Sequence, residues 1–156
     1  MMQNRYITKE QALQKLKHYC AYQERCHLEV KEKLYALGQY KQDVEALIAE
    51  LIQEGYLNEE RFAIQFAGGK FRMKQWGRKK IEQALKEKQV SPYCIRKALL
   101  QLDDDAYMQA LEKQAVKKWQ TLKSEKNIFI KKRKLQDYLL QKGFEYDLIR
   151  DQMKLL

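Results

Sequence analysis

Apolar side chains recur along this chain in three sets that share one spacing. With Gly38, Gln89 and Gly143 as reference points, 51 and then 54 residues apart, the same offsets are apolar each time. Eight residues before them stand Val30, Ile81 and Leu135, and four before stand Leu34, Leu85 and Leu139. Six after come Val44, Ile95 and Ile149, ten after Ile48, Leu99 and Met153, and thirteen after Leu51, Leu102 and Leu156. Offsets −8 and −4 lie one helical turn apart, and +6, +10 and +13 form an i, i+4, i+7 stripe, so each set predicts two amphipathic helices. Between them the chain turns. Gly38 and Gly143 stand where a helix end adopts a left-handed backbone that a Cβ opposes. Gln89 takes the third such place, where the turn is made under strain or in another conformation. A fixed period of this length predicts like modules, each burying its apolar face against its neighbours, and such arrays bind elongated partners.

Helix starts add a third helix to each set. Thr8 with Gln11 forms a capping box ahead of Ala12, Leu13, Leu16 and Tyr19. Asn58 precedes Glu59 and Glu60, which suit the positive end of a helix dipole, and then Phe62 and Phe66. Asp103-Asp104-Asp105 opens a helix through Leu111 and Ala115 towards Trp119. Ser91-Pro92 reads as an N-cap with proline in the first helical position, with Val90 stapled on Ile95 as Phe144 is on Ile149. One proline and six glycines in 156 residues complete an all-helical picture. The expectation is an all-α fold: a tandem array of three three-helix repeats, elongated and curved, in one domain over 1–156. The repeats span 8–54, 55–102 and 103–156, with connectors at Gly55-Tyr56-Leu57 and Lys123 to Asn127. Gly68 and Gly69 fall inside a predicted helix, at about 1 kcal/mol each against alanine; close helix packing or a kink compensates.

Charge refines this picture. The chain carries 31 Lys and Arg against 21 Asp and Glu, but residues 1–57 hold 8 of each, 58–102 hold 11 against 4, and 103–156 hold 12 against 9. A positive field centred on the middle repeat suits a polyanion or an acidic protein surface. Its densest part is Lys70 to Lys88, where Lys70, Arg72, Lys74, Arg78, Lys79, Lys80, Lys86 and Lys88 face only Glu82 and Glu87, interleaved with Phe71 and Trp76. On a helix starting near Arg78, Ile81, Ala84 and Leu85 make the apolar face, which leaves Lys79 and Lys86 exposed. The candidate binding residues are therefore Arg72, Lys74, Arg78, Lys79 and Lys86, acting by counterion release on phosphates or by steering onto an acidic surface. The competing reading is a solvated face. Phe71 and Trp76 read as core or inter-repeat packing rather than stacking platforms.

Catalytic chemistry has no foothold. There is no GK[ST] phosphate loop, no GxSxG, and no Ser/His/Asp context around Ser91 or Ser124. His18, Cys20, Cys26 and His27 have no usual zinc spacing, and with Cys94 the cysteines number three without a CxxC, which suits a reducing compartment. No stretch has the apolar length of a membrane span, and Met1 to Glu10 lacks a signal-peptide core. A cytoplasmic, non-enzymatic protein without metal or cofactor is expected.

Three stretches carry a family resemblance. Arg25-Cys26-His27-Leu28-Glu29-Val30-Lys31-Glu32-Lys33-Leu34 is similar to an R-x-x-S-x-x-E-L-x-x-K-L pattern, and Gly55-Tyr56-Leu57-Asn58-Glu59-Glu60-Arg61-Phe62-Ala63 to G-Y-[LI]-[ND]-[DE]-x-R-[FY]-A. Gly77-Arg78-Lys79-Lys80-Ile81-Glu82-Gln83-Ala84-Leu85-Lys86-Glu87-Lys88 is similar to G-x-x-[RK]-I-x-x-x-L-x-x-K. In this order they resemble the RecX family of bacterial regulators of the RecA recombinase, and the resemblance spans essentially the whole chain. Cys26 replaces an expected serine and is a poorer N-cap; Gln89 replaces a common glycine. The resemblance implies three tandem three-helix repeats. It also implies a monomeric, non-enzymatic protein that binds the RecA filament along its groove, contacts single-stranded DNA within or near it, and suppresses ATP hydrolysis, strand exchange and co-protease activity. The alternative from another class is a helix-turn-helix-like module that binds nucleic acid directly, without RecA.

Overall fold

The computed structural model describes residues 7–156; the part of the N-terminal reading that falls on Met1 to Tyr6 lies outside them. Among the described residues the chain is all helical: α1 (Lys9–Tyr22), α2 (His27–Ala36), α3 (Lys41–Gln53), α4 (Glu59–Gly69), a π-helical turn (Lys70–Lys74), α5 (Arg78–Glu87), α6 (Pro92–Leu100), α7 (Asp104–Thr121), α8 (Ile128–Gln141) and α9 (Tyr146–Met153). The starts are those the side chains specify. The hydroxyl of Thr8 accepts from the Gln11 N–H (3.1 Å) while Gln11 Oε1 accepts from the Thr8 N–H (2.9 Å). Asn58, Ser91 and Asp103 accept from the N–H groups of Arg61, Cys94 and Ala106.

Three cores hold the helices together. Ala12, Leu16, Val30, Leu34, Val44, Leu47 and Leu51 fill the first, between α1, α2 and α3. The second gathers Phe62, Ala63, Ala67, Ile81, Leu85, Ile95 and Ala98 from α4, α5 and α6, and the third Tyr107, Leu111, Leu135, Leu139 and Ile149 from α7, α8 and α9 with Phe144 from the turn before α9. Offsets −8, −4 and +6 of the periodic pattern are buried in all three sets, and Leu51 and Leu102 at +13 as well. Offset +10 is half-buried each time, and Leu156 is exposed because α9 ends at Met153, a turn short of it.

The turns decide the Gln89 question. Gly38, Gln89 and Gly143 all adopt positive φ, at +81°, +60° and +97°. Each ends the middle helix of its trio, so Gln89 makes the same left-handed turn as the glycines and bears the Cβ strain that they avoid. At Gly68 and Gly69 the helix changes type: α4 runs directly into the π turn, and the atoms nearest a Cβ added at Gly68 would be the guanidinium of Arg72 on the next turn, at 2.7 Å. The segment Lys123 to Asn127 joins α7 to α8, inside the third trio rather than between trios.

Cys26 takes the expected N-cap place and adds a second role. It precedes α2, where its N–H donates to Glu29 Oε1 (3.1 Å), but its side chain is fully buried in the second core, beside half-buried Leu28. The thiol packs into the second core while Cys26 and Glu29 together form the reciprocal capping box of α2. Burial raises its pKa from 9.0 to about 11.

Candidate functional site

Two elements present the basic segment. On α5, Ile81 and Leu85 are fully buried, and Lys79 and Lys86 stand exposed on the other side. Lys86 pairs one turn back with Glu82 (3.1 Å), an exposed i, i+4 contact worth a few tenths of a kcal/mol. Arg72 and Lys74 lie on the exposed π turn beside Met73, which is 84% accessible. π turns are uncommon insertions that recur at functional sites. This one ends on Gln75 in the left-handed region (φ 56°), whose carbonyl accepts from the buried Gln114 of α7 (3.0 Å). The ammonium of Lys142 reaches the Lys74 carbonyl (3.5 Å).

The remaining cations of the segment lie on aromatic rings. Trp76 is half-buried between Lys70 (5.1 Å) and Lys80 (4.8 Å), and Phe66 lies under Lys70 (5.3 Å) and Lys88 (5.9 Å). Such packing covers apolar surface with the lysine stems and keeps the charge near the ring face. Phe71 packs against the second and third cores and stacks on Tyr107 (5.8 Å).

Arg78 is placed differently from the other four candidates. Its guanidinium donates to Glu145 Oε2 (2.8 Å) and Asp104 Oδ1 (2.9 Å), and lies 3.8 Å over the Tyr107 ring. Its backbone N–H donates to Tyr107 Oη (3.0 Å), and that hydroxyl donates to Glu145. Burial first, and the Glu145 bond second, push the Tyr107 phenol well above its ordinary pKa. Beside this polar knot the backbones meet. The Gly77 N–H donates to the Lys142 carbonyl (2.7 Å), and the Lys79 N–H to the Gly143 carbonyl (2.9 Å). Unpaired amides at the start of α5 are thus satisfied by the turn between α8 and α9. A Cβ on Gly77 would collide with the Gly143 carbonyl, and one on Gly143 would sit 2.5 Å from the Lys80 nitrogen.

The structure therefore brings Arg72, Lys74, Lys79 and Lys86 to the surface and assigns Arg78 to a joint between the second and third trios. Sequence reasoning missed Tyr107, Asp104 and Glu145 as its partners. A signal was present: the first turn of α5 carries Arg78, Lys79 and Lys80 and no acid, the reverse of what a helix dipole favours, so the segment needs an anion from elsewhere. Equally unforeseen is the start of α8, where Ile128, Phe129 (80% accessible) and Ile130 precede the run Lys131 to Lys134.

Against known proteins, residues 58–99 match the sequence description RecX, second three-helix domain, and residues 105–153 match RecX, third three-helix domain. The chain belongs to the RecX family. It is 31% identical over 128 residues to a protein of Pelodictyon phaeoclathratiforme named Regulatory protein RecX, covering 82% of this chain and 78% of that one. A Clostridium botulinum protein of the same name is 30% identical over 127 residues, 81% of this chain but 59% of the relative, so the chain spans less than two thirds of that protein's length. The crystal structure of RecX from Lactobacillus salivarius superposes with a TM-score of 0.85 at 24% identity, over 95% of this chain and 96% of that one, and shares the fold. Among the described residues, no helix is long and apolar enough to cross a membrane.

Proposed function

We propose that this protein is a non-enzymatic regulator that binds the RecA recombinase filament and modulates, mainly by inhibition, its ATPase, strand-exchange and co-protease activities, and so regulates recombination and DNA repair. In this reading it acts as a cytoplasmic monomer without a cofactor of its own, built of units 8–54, 55–102 and 103–156. The supporting observation is membership of a family of regulatory proteins combined with exposed basic residues in its second three-helix domain. Arg72, Lys74, Lys79 and Lys86 form the contact with the RecA–DNA filament, and Arg78 holds the second and third units in fixed relation behind them. An array whose units meet neighbouring protomers of a filament gains avidity from each added contact.

The test is RecA ATPase on single-stranded DNA with and without this protein. Near-stoichiometric protein lowers the rate and has no ATPase of its own. An unchanged rate at saturating protein overturns the RecA reading, and sequence-specific duplex binding by the protein alone would favour a direct nucleic-acid module instead.

A further inference from the structure

The start of α8 leaves apolar side chains uncovered. Ile128, Phe129 and Ile130, its first three residues, are 47%, 80% and 44% accessible. Successive residues of a helix point about 100° apart, so these three spread over roughly 200° of its circumference. The chain on either side is exposed as well, at Lys126, Asn127, Lys132 and Arg133. The segment is a protruding tip rather than a groove. Three consecutive exposed apolar residues are out of place on a water-facing surface unless they meet a partner.

The charge around the tip has one sign. Residues 123–134 carry Lys123, Lys126, Lys131, Lys132, Arg133 and Lys134 against a single acid, Glu125. That carboxylate is engaged, accepting from Lys134 Nζ (3.1 Å) and from the Asn127 N–H (3.2 Å), and Lys131 lies 4.1 Å from the Trp119 ring centre. Among the described residues no carboxylate forms an ion pair with Lys123, Lys126, Lys132 or Arg133. Lys132 and Arg133 follow Phe129 by three and four positions, on the same side of α8 and about 5 Å further along it. The order is an apolar tip with cations one turn behind. An interfacial contact has the same order: apolar side chains sink about 5–10 Å to the acyl boundary, and cations stay near the phosphates.

We propose that this tip makes a peripheral contact with an anionic lipid bilayer. Ile128, Phe129 and Ile130 enter the interface, and Lys132 and Arg133, with Lys123 and Lys126, meet headgroup phosphates. A protein cleft has fixed walls, whereas a fluid interface closes around side chains that point in different directions. Nucleic acid would use the cations but leave Ile128 and Ile130 without a role. Such a contact needs no spanning helix, and it is independent of the RecA reading.

The experiment is co-sedimentation of the full chain, without RecA or DNA, with vesicles over a salt series. One set is phosphatidylcholine alone, the other phosphatidylcholine and phosphatidylglycerol in equal parts. The wild type partitions onto the anionic vesicles at low salt, less so as salt rises, and not onto phosphatidylcholine alone. Phe129→Ser lowers the partition coefficient about ten-fold, through the apolar surface no longer buried. Lys132→Gln with Arg133→Gln lowers it about 25-fold, roughly five-fold per charge. Lys9→Gln with Lys41→Gln, the same change in charge on the first trio, leaves it nearly unchanged. All these side chains are exposed, and unchanged melting curves separate weakened binding from impaired folding. No binding to the anionic vesicles at low salt overturns the proposal and leaves the tip to a cleft on another protein. Equal loss in the two double variants, or undiminished binding by Phe129→Ser, overturns the tip as the contact and reduces the attraction to net charge.

Discussion

The two joints between the helical trios are built in opposite ways. Between the first and second, the link is chiefly apolar: Cys26 and Leu28 enter the second core, and the polar contacts lie outside, with Arg61 bonded to Glu24 and to the Gly55 carbonyl at 2.6 and 3.0 Å. Between the second and third, backbone meets backbone at Gly77 and Gly143, and a part-buried knot of Arg78, Tyr107 and Glu145, with exposed Asp104 at its edge, closes over them. Apolar contacts tolerate small shifts because they are non-directional, whereas paired amides and a forked guanidinium fix an orientation. Neighbouring cations also have different roles: Arg78 bonds across the joint, while Lys79, one residue later, is exposed and pairs with no carboxylate among the described residues.

Substituting the glycines should separate the joints most strongly. Gly143→Val combines a left-handed backbone with collision against Lys80, and should cost about 3 kcal/mol. Gly55→Ala at the first joint, at similar φ with nothing within 4 Å of the added Cβ, should cost only about 1 kcal/mol. Thermal melts of the two variants measure the difference; equal midpoints would refute the close-approach account.

Removing one arginine from each joint is the next step down. Arg78→Ala leaves Glu145 half-buried without its cation and should cost about 2 kcal/mol. Arg61→Ala at the more exposed pair should cost at most about 1 kcal/mol. Urea denaturation of both variants checks the order.

Alkaline titration reaches both joints together. Cys26 and Tyr107 each bind a proton more tightly folded than unfolded, because burial opposes the thiolate and the phenolate. The unfolded chain releases these protons first, so their contribution, complete at pH 8, is lost as pH rises from 9.0 through about 11 for Cys26. Melting temperature should fall over that window, and Cys26→Ala should flatten the fall. The smallest effect belongs to Gln89→Gly, which relieves a left-handed, exposed glutamine and should be neutral or stabilising by up to about 1 kcal/mol in a melt.

The units were legible in sequence and the joints were not, for a physical reason. Val30/Leu34, Ile81/Leu85 and Leu135/Leu139 repeat because each helix buries one face, and burial leaves a period. Arg78 finds Glu145 67 residues away through a polar contact with no period, and Gly77 meets Gly143 through backbone that carries no side-chain signal at all. At Cys26, the residue at an N-cap also packs into the neighbouring core, which only the tertiary neighbours reveal.

The most direct test of the account is a comparison of two charge reversals in binding to RecA–DNA filaments across a salt series. Lys79→Glu with Lys86→Glu changes the exposed basic face and spares the Arg78 knot; Lys9→Glu with Lys41→Glu makes the same change in net charge on the first trio. The first variant should bind weakly with a flattened salt dependence, and the other should bind nearly as the wild type does. Equal weakening in both would mean that net charge, not a site, governs attachment, and undiminished binding by the Lys79/Lys86 variant would reduce the basic face to a solvated one.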